Sequence, residues 1–413
     1  MINLFVYHTI LYVTSFISLF TAFFWLSVLY LEEKQLNIEE DYTTENAPVV
    51  TILIPAYNEE DVIAKTIESI EVLDYPKDKI EVIVLANACT DRTEEIVKSY
   101  KHKGIKLVSI KEPGKGHAVN IGLQKAKGKF IATFDADTIA TPNLLKRALP
   151  YFADEKVAAV KTSIKVLKPE NFLEKLQWFE YMGVALQHRL MSALDVLFIT
   201  PGAFSIYRKD VLKKVGGFDE HSLTEDIEIA MRLLHEGWKV KASFTASPFT
   251  KVPRTFAAFH TQRLRWARGF FSSLLKHKDM LLNKKFELLG MLILPLNFLL
   301  PILIIVGLFV LIYNIASALI FLAIELYLTK SFVYTSTAYT IDYSALFWTI
   351  FLIIIGTGIF LKTFGLLKEK AQYPLAVLFY FLVYPIIRSF YWLFGAIYEL
   401  TNAKKDWRGS ERW

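Results

Sequence analysis

The sequence predicts an α/β domain on a mostly parallel sheet, set between segments apolar enough to span a bilayer. Three observations predict it. Short β-branched apolar runs alternate with amphipathic stretches from Val49 to Phe134, the pattern of repeated strand–helix units. Hydrophobic residues make up 53% of the 413 positions, and the excess lies at the two ends of the chain. The acidic and basic-aromatic motifs all fall in the polar middle.

The first segment, Met1 to Leu31, contains no Lys, Arg, Asp or Glu. About 20 apolar residues cross a hydrocarbon core, so 1–31 is expected to be one transmembrane helix. A cleaved signal peptide fits less well, because no basic region precedes the run and no small-x-small site follows it. A polar linker, 32–47, leads into the α/β domain, expected over 48–255.

Val49 to Pro55 (VVTILIP) reads as a strand buried on both faces. A helix follows, with Val62, Ile63, Ile67, Ile70 and Leu73 on one face. Ile80 to Leu85, Ile105 to Ile110 and Lys129 to Phe134 are the next strands, separated by helices over Thr93 to Tyr100 and His117 to Lys125. Ligands of such open sheets bind beyond the carboxyl ends of the strands. Tyr57, Asn87, Asp91, Asp135 and Asp137 all follow strand ends. No Gly-x-Gly-x-x-Gly follows the first strand, which weighs against a dinucleotide oxidoreductase.

Pro169 to Phe198 and Phe256 to Leu282 are amphipathic, the second richly basic. Either could lie in the membrane plane or pack on the catalytic domain; 256–285 is taken as an interface helix. Leu288 to Ile324 and Tyr343 to Leu361 are free of charge, and Tyr373 to Tyr398 carries only Arg388. These predict a membrane domain over 286–400 of three or four helical segments. The first run is too long for one perpendicular crossing, and Pro295, Pro301 and Asn314 are its expected break points. A basic tail, 401–413, closes the chain. Basic clusters beside the apolar runs suit anionic lipid headgroups on the cytoplasmic side. Arg388 in an otherwise apolar helix is expected to face a polar cavity, or to snorkel from a helix end. The net charge of +6 is modest and does not point to nucleic acid. The lone Cys89 excludes an intrachain disulfide and suits a reducing compartment.

Four motifs carry chemistry. Asp135 and Asp137, two apart at a strand end, aim two carboxylates at one point. Such a pair repels unless a cation sits between them, and a hard ion, Mg²⁺ or Mn²⁺, satisfies it and clamps a diphosphate. Gly114-Lys115-Gly116 opens a helix, where the backbone approaches a phosphate and Lys115 adds charge, or forms a simple surface turn. Thr224-Glu225-Asp226 starts another helix. There Thr224 is a natural N-cap with Glu225 and Asp226 at the positive end, and Asp226 is also a candidate general base. Gln262, Arg265 and Trp266 are spaced i, i+3 and i+4 on one face and suit a diphosphate and a sugar ring.

The order PAYNE, ANACTDRT, GKGHAVNIG, DAD, TPGAF, TED and QRLRW resembles the membrane-bound family-2 glycosyltransferases of GT-A fold. That group includes the cellulose, hyaluronan and chitin synthases. The layout is most similar to poly-β-1,6-N-acetylglucosamine synthases. The resemblance implies inverting, metal-dependent transfer of GlcNAc or Glc from a UDP-sugar to a growing β-linked polysaccharide. The catalytic domain would be cytoplasmic, on a multi-pass protein of the cell membrane. The partners it implies are the UDP-sugar donor, a glycan or lipid acceptor, membrane lipids and a small membrane subunit.

By position, Pro55 and Tyr57 would border uracil, with Glu59 and Lys115 also on the nucleotide side. Asn87 stands where the family usually has an Asp reading the base. Asn retains both an acceptor for uracil N3–H and a donor for a carbonyl. Asp135 would contact the nucleoside and Asp137 the metal. Gly202 and Ala203 would line the acceptor pocket, Asp226 would be the base, and Glu225 and Gln262 would flank it. Arg265 would hold the diphosphate and Trp266 would stack under the acceptor sugar. Ceramide glucosyltransferases share the Gln-x-x-Arg-Trp pattern, so a single transfer to a lipid is an alternative. A non-catalytic membrane subunit with a degenerate transferase domain is another.

Overall fold

A computed structural model describes residues 4–36, 47–330, 343–367, 369, 372–401 and 403. Most of the expected linker and the basic tail from 404 onward lie outside the described residues.

Helix α1 (Leu4–Leu36) runs past the expected end at Leu31. The α/β domain then builds β1 (Val50–Ala56), α2 (Ile63–Ile70), β2 (Ile80–Asn87), α3 (Thr93–Ser99), β3 (Lys106–Ile110), α4 (Lys115–Lys125) and β4 (Phe130–Thr133). β5 (Thr138–Ile139), α5 (Leu144–Ala148), β6 (Val157–Thr162), β7 (Lys165–Val166) and the long α6 (Phe172–Ala193) follow. β8 (Ser205–Arg208), α7 (Lys209–Lys214), α8 (Glu225–His235), β9 (Lys239–Ser243), β10 (Phe249–Thr250) and α9 (Phe256–Lys276) complete it. The remaining helices are α10 (Leu294–Thr329), α11 (Tyr343–Leu367), α12 (Pro374–Leu382) and α13 (Tyr384–Leu400).

The main sheet has the order β3-β2-β1-β4-β8-β6-β9. All its pairings are parallel except those of β8, which runs antiparallel to β4 and β6. β1 is buried along nearly its whole length because helices cover both sheet faces. Leu53, Leu85 and Ile131 point into one core, and Ile52, Ile54 and Val84 into the other. A small sheet, β5-β10-β7, lies beyond the strand ends.

Helix α6 packs between the α/β domain and the apolar helices α1 and α11. An Asn171–Glu174 capping box starts this helix. Its Leu186 and Leu190 meet Val28 and Leu29 of α1, while Trp178 and Phe179 meet Phe360 and Phe364 of α11. Helix α9 is likewise held on two sides. A Cβ on Gly269 would collide with the Thr224 side chain, and one on Gly395 would sit 2.7 Å from Ala267 Cβ. Small residues at both crossings let α9 lie against the start of α8 and against α13.

Among the described residues three helices are long and apolar enough to cross a membrane: His8–Glu32, Leu289–Thr329 and Ile350–Leu367. A fourth span is possible if α12 and α13, bent by 48° at their junction, count as one. The expected breaks at Pro301 and Asn314 do not occur, since α10 continues through both. The irregularity lies earlier, in a π-helical turn over Leu289–Ile293, and Pro295 stands two residues after it. The surface of these helices is apolar, with Phe16, Phe309, Leu319 and Ile354 all more than half exposed.

Candidate active site

A cavity of about 820 Å³ opens beyond the carboxyl ends of β1, β2 and β4. Pro55, Tyr57, Glu59, Asn87, Lys115, Asp135, Asp137, Gly202, Ala203, Glu225, Asp226, Gln262, Arg265 and Trp266 all line it. These residues come from loops and helices scattered over more than half the chain, and the sheet topology brings them together.

At one end, two loops are knitted to each other. The Glu59 N–H donates to Thr93 Oγ1 (2.8 Å), the Glu60 N–H to Asp91 Oδ2 (3.1 Å), and the Thr90 N–H to Asn58 Oδ1 (2.7 Å). Asp91 therefore braces the loops. Asn87 is 2% exposed, and among the described residues its Oδ1 has no hydrogen-bond partner. A buried acceptor left unmade costs about 1–3 kcal/mol, so this atom favours a ligand N–H.

Asp135 and Asp137 sit in a turn just past β4, not on the strand itself. Lys115 Nζ donates to Asp135 Oδ1 (2.8 Å) and lies 3.0 Å from Glu225 Oε1. The lysine thus ties the Asp-x-Asp turn to the Thr-Glu-Asp helix, and its charge is shared between two carboxylates. Gly202 makes this possible: a Cβ there would stand 2.5 Å from Lys115 Nζ and 2.8 Å from Asp135 Oδ1.

Three further carboxylates of the cavity, Glu59, Asp137 and Asp226, are raised above the ordinary carboxylate range. Burial, then Asp137 and Asp135, pushes Glu59 up to about 8. Burial, then Asp135, pushes Asp137 up to about 6. Burial, then Glu225, pushes Asp226 up to about 7. Glu225 is also buried, but Lys115 outweighs that penalty and holds it below the usual carboxylate range. Two neighbouring acids therefore divide the work, one a fixed anion and the other able to exchange a proton near pH 7.

Thr224 is the N-cap residue of α8, as expected, but its side chain makes no capping bond. Among the described residues its buried hydroxyl has no hydrogen-bond partner; it is pressed against Gly269 of α9, and Asp226 Oδ1 accepts the Ile227 N–H (2.9 Å).

The opposite wall holds residues that the motif reading missed. Arg263, inside Gln-Arg-Leu-Arg-Trp, points away from solvent and pairs with Glu180 of α6. Tyr384 at the start of α13 donates to Glu180 Oε1 (2.5 Å) and accepts from Arg263 Nε (3.2 Å). The guanidinium lies 4.3 Å from the Trp266 ring centroid, fixing one face of that ring. Gln262 Oε1 accepts from Arg263 Nη1 (2.5 Å), and Arg265 Nη1 reaches the Leu223 carbonyl (3.4 Å). The network joins α6, α9 and α13. Glu180 and Arg263 lie on buried helix faces, but α6 also buries Glu174 and Arg189, so charge among apolar neighbours did not single the pair out. Glu180→Gln should lower stability by roughly 3–5 kcal/mol, because it strands a buried guanidinium. Arg263→Met with Glu180→Leu should recover most of that loss in thermal unfolding of the detergent-solubilised protein.

The cavity continues past this network to Asn297 of α10 and to Arg388, Tyr391 and Trp392 of α13. Arg388 therefore faces the cavity, as expected for a charge in that helix.

A parallel sheet with ligand loops at its carboxyl edge, an acidic turn after the fourth strand and an acid at a helix start define a GT-A glycosyltransferase. The chain belongs to the glycosyltransferase-like family 2, which matches residues 47–269. It is 33% identical over 239 residues to the probable glycosyltransferase YdaM of Bacillus subtilis, covering 54% of this chain and 55% of that one. It is 28% identical over 271 residues to poly-β-1,6-N-acetyl-D-glucosamine synthase of Staphylococcus epidermidis, covering 63% and 65%. It is 31% identical over 244 residues to β-monoglucosyldiacylglycerol synthase of Nostoc, covering 58% and 52%. The matched part thus spans between half and two thirds of each of these relatives. The fold is shared with the mannosyltransferase PcManGT from Pyrobaculum calidifontis, solved with GDP-Man and Mn²⁺. That match has a TM-score of 0.62 and 20% identity, over 95% of this chain and 100% of that one.

Proposed function

We propose that the protein is an inverting, metal-dependent glycosyltransferase that moves GlcNAc or Glc from a UDP-sugar to an acceptor hydroxyl. It would work at the cytoplasmic face of the cell membrane as a multi-pass protein, with 48–255 as its catalytic domain and 256–285 as the interface helix. The observation that carries the reading is the pair Glu225 and Asp226, one a fixed anion and one titrating near 7, beside a cavity with crowded carboxylates at its donor end.

In this mechanism Asn87 Oδ1 accepts the uracil N3–H, and Tyr57 and Pro55 border the base. Among the described residues no three His, Cys, Asp or Glu side chains gather as a metal cage. Two carboxylates nonetheless fit Mg²⁺ or Mn²⁺, which takes its other oxygens from phosphate and water. Asp137, with Asp135, would hold that ion, and when bound it neutralises charge on the diphosphate. Arg265 supplies a second positive charge there. Asp226 takes the acceptor proton while the oxygen attacks the anomeric carbon from the face opposite the departing UDP. Lys115 keeps Glu225 and Asp135 in register around that centre.

Trp266 offers a sugar the ring face that Arg263 does not cover. Trp266→Ala should therefore impair transfer to acceptor more than donor hydrolysis, and equal loss of both would assign the ring to packing. Two acceptors suit the site. A growing β-linked polysaccharide is supported by the motif order and by the resemblance to the polysaccharide synthase. A lipid is favoured by the course of the cavity, which runs on to α10 and α13. Incubation with a panel of UDP-sugars and Mn²⁺, followed by sizing of the products, tests the reading. Absence of UDP release with every donor would refute it.

A further inference from the structure

Six cationic side chains line the cavity: Lys115, Lys161, Lys251, Arg263, Arg265 and Arg388. Lys115 and Arg263 are neutralised by carboxylates. Lys161 is different. It stands at the end of β6, is 2% exposed, and has no carboxylate partner among the described residues. Its Nζ lies 2.9 Å from His188 Nδ1 on α6, and His188 lines the same cavity.

An ammonium has no lone pair, so Lys161 must donate in its charged form. His188 Nδ1 is then the acceptor, and its proton sits on Nε2, a second donor. A cation this deeply buried is costly without an anion beside it. Burial pushes Lys161 down to about 7, and burial together with the Lys161 charge holds His188 well below the usual imidazole range. An anion bound there would restore the charge of the lysine. The same cavity is lined by the apolar Met191, Phe198, Phe270 and Trp392 and by Asn297 of α10, and Phe198 and Trp392 both pack on Phe270. A bound molecule would thus meet both a cation and an apolar wall that reaches the membrane helices.

We propose that Lys161 and His188 form a subsite for the phosphate of a lipid acceptor that also carries a free hydroxyl. This rests on the lipid-acceptor reading above and adds an acidic headgroup to it. The phosphate is gripped and does not react. The hydroxyl loses its proton to Asp226, its oxygen bonds to the anomeric carbon, and the bond from that carbon to the β-phosphate oxygen breaks, its electron pair leaving with UDP.

The test uses the full chain in detergent with Mn²⁺ and the UDP-sugar that supports UDP release. The acceptor probes are dihexanoyl phosphatidylglycerol and the neutral dihexanoylglycerol. Phosphatidylglycerol is expected to stimulate UDP release at least tenfold more than the neutral lipid at equal concentration. Lys161→Met should remove most of that difference while leaving UDP affinity by titration unchanged, which also reports that the variant is folded. Equal stimulation by the two lipids in the wild type overturns the proposal without any variant. So does an unchanged preference in Lys161→Met. Inorganic phosphate separates headgroup from free ion: if it stimulates as well as the lipid does, the subsite is not a lipid site. Failure to bind UDP at all would instead overturn the donor reading and is scored separately.

Discussion

Asp226→Asn is expected to abolish sugar transfer while UDP binding stays within about twofold of wild type. Removing a general base lowers turnover by about 10²–10⁴-fold, and asparagine keeps the shape of the side chain and its bond from the Ile227 N–H. The pH dependence carries the sharper signature. Burial and Glu225 raise Asp226 to about 7, so its base form is depleted below that pH and recovered above it. In the wild type, kcat/KM for the acceptor should therefore fall about tenfold per pH unit below about 7 and level off above it. A variant retaining more than about a tenth of wild-type turnover, or a profile flat from pH 5.5 to 8, would remove Asp226 from the base role.

Glu225 is what makes this assignment specific. Glu225 is buried and Asp226 half-buried at the start of α8, and only Glu225 has Lys115 at 3.0 Å. Glu225→Gln would remove the nearer negative charge and should lower the Asp226 titration toward the ordinary carboxylate range. The acid limb of the profile would then move to lower pH, a result that loss of packing alone would not produce.

The fold was legible where local pattern and topology agree. β1 to β4 and their helices each satisfy a two-residue or helical period, and parallel strands joined by helices leave few alternative orders. The antiparallel β8 was not legible, because Ser205 to Arg208 is short and its direction is set by pairing with β4 and β6. Most motif residues converge on one cavity because they follow a strand end or open a helix, and Gln262, Arg265 and Trp266 reach it from one face within α9. Glu180, Arg263 and His188 are interior helix positions, and Lys161, though near the end of β6, belongs to no motif. Their meaning comes from contacts between elements far apart in the chain, which no window of sequence contains. Thr224 illustrates the opposite case. Its type and place fit the N-cap position it holds, but the close approach of Gly269 leaves its hydroxyl pressed against α9.

Asp137→Ala should abolish metal-dependent donor binding, leaving UDP affinity in Mn²⁺ no better than that of the wild type in EDTA. The expected loss is at least tenfold, about 1.4 kcal/mol or more. The reason lies in the crowding at the donor end. Glu59 and Asp137 are raised to about 8 and about 6, each by burial first and then by neighbouring acids. A divalent cation relieves that repulsion and so competes with protons for the same oxygens. Affinity for Mn²⁺ in the presence of UDP should therefore rise with pH between about 6 and 8. Calorimetry at pH 6.5 in two buffers of different ionisation enthalpy should detect proton release on binding, and less of it at pH 8.5. Asp137→Ala should suppress the release together with the affinity. UDP binding insensitive to EDTA in the wild type would show that the carboxylates serve the diphosphate without a metal. The crowding would then have to be relieved by protonation of Glu59 alone.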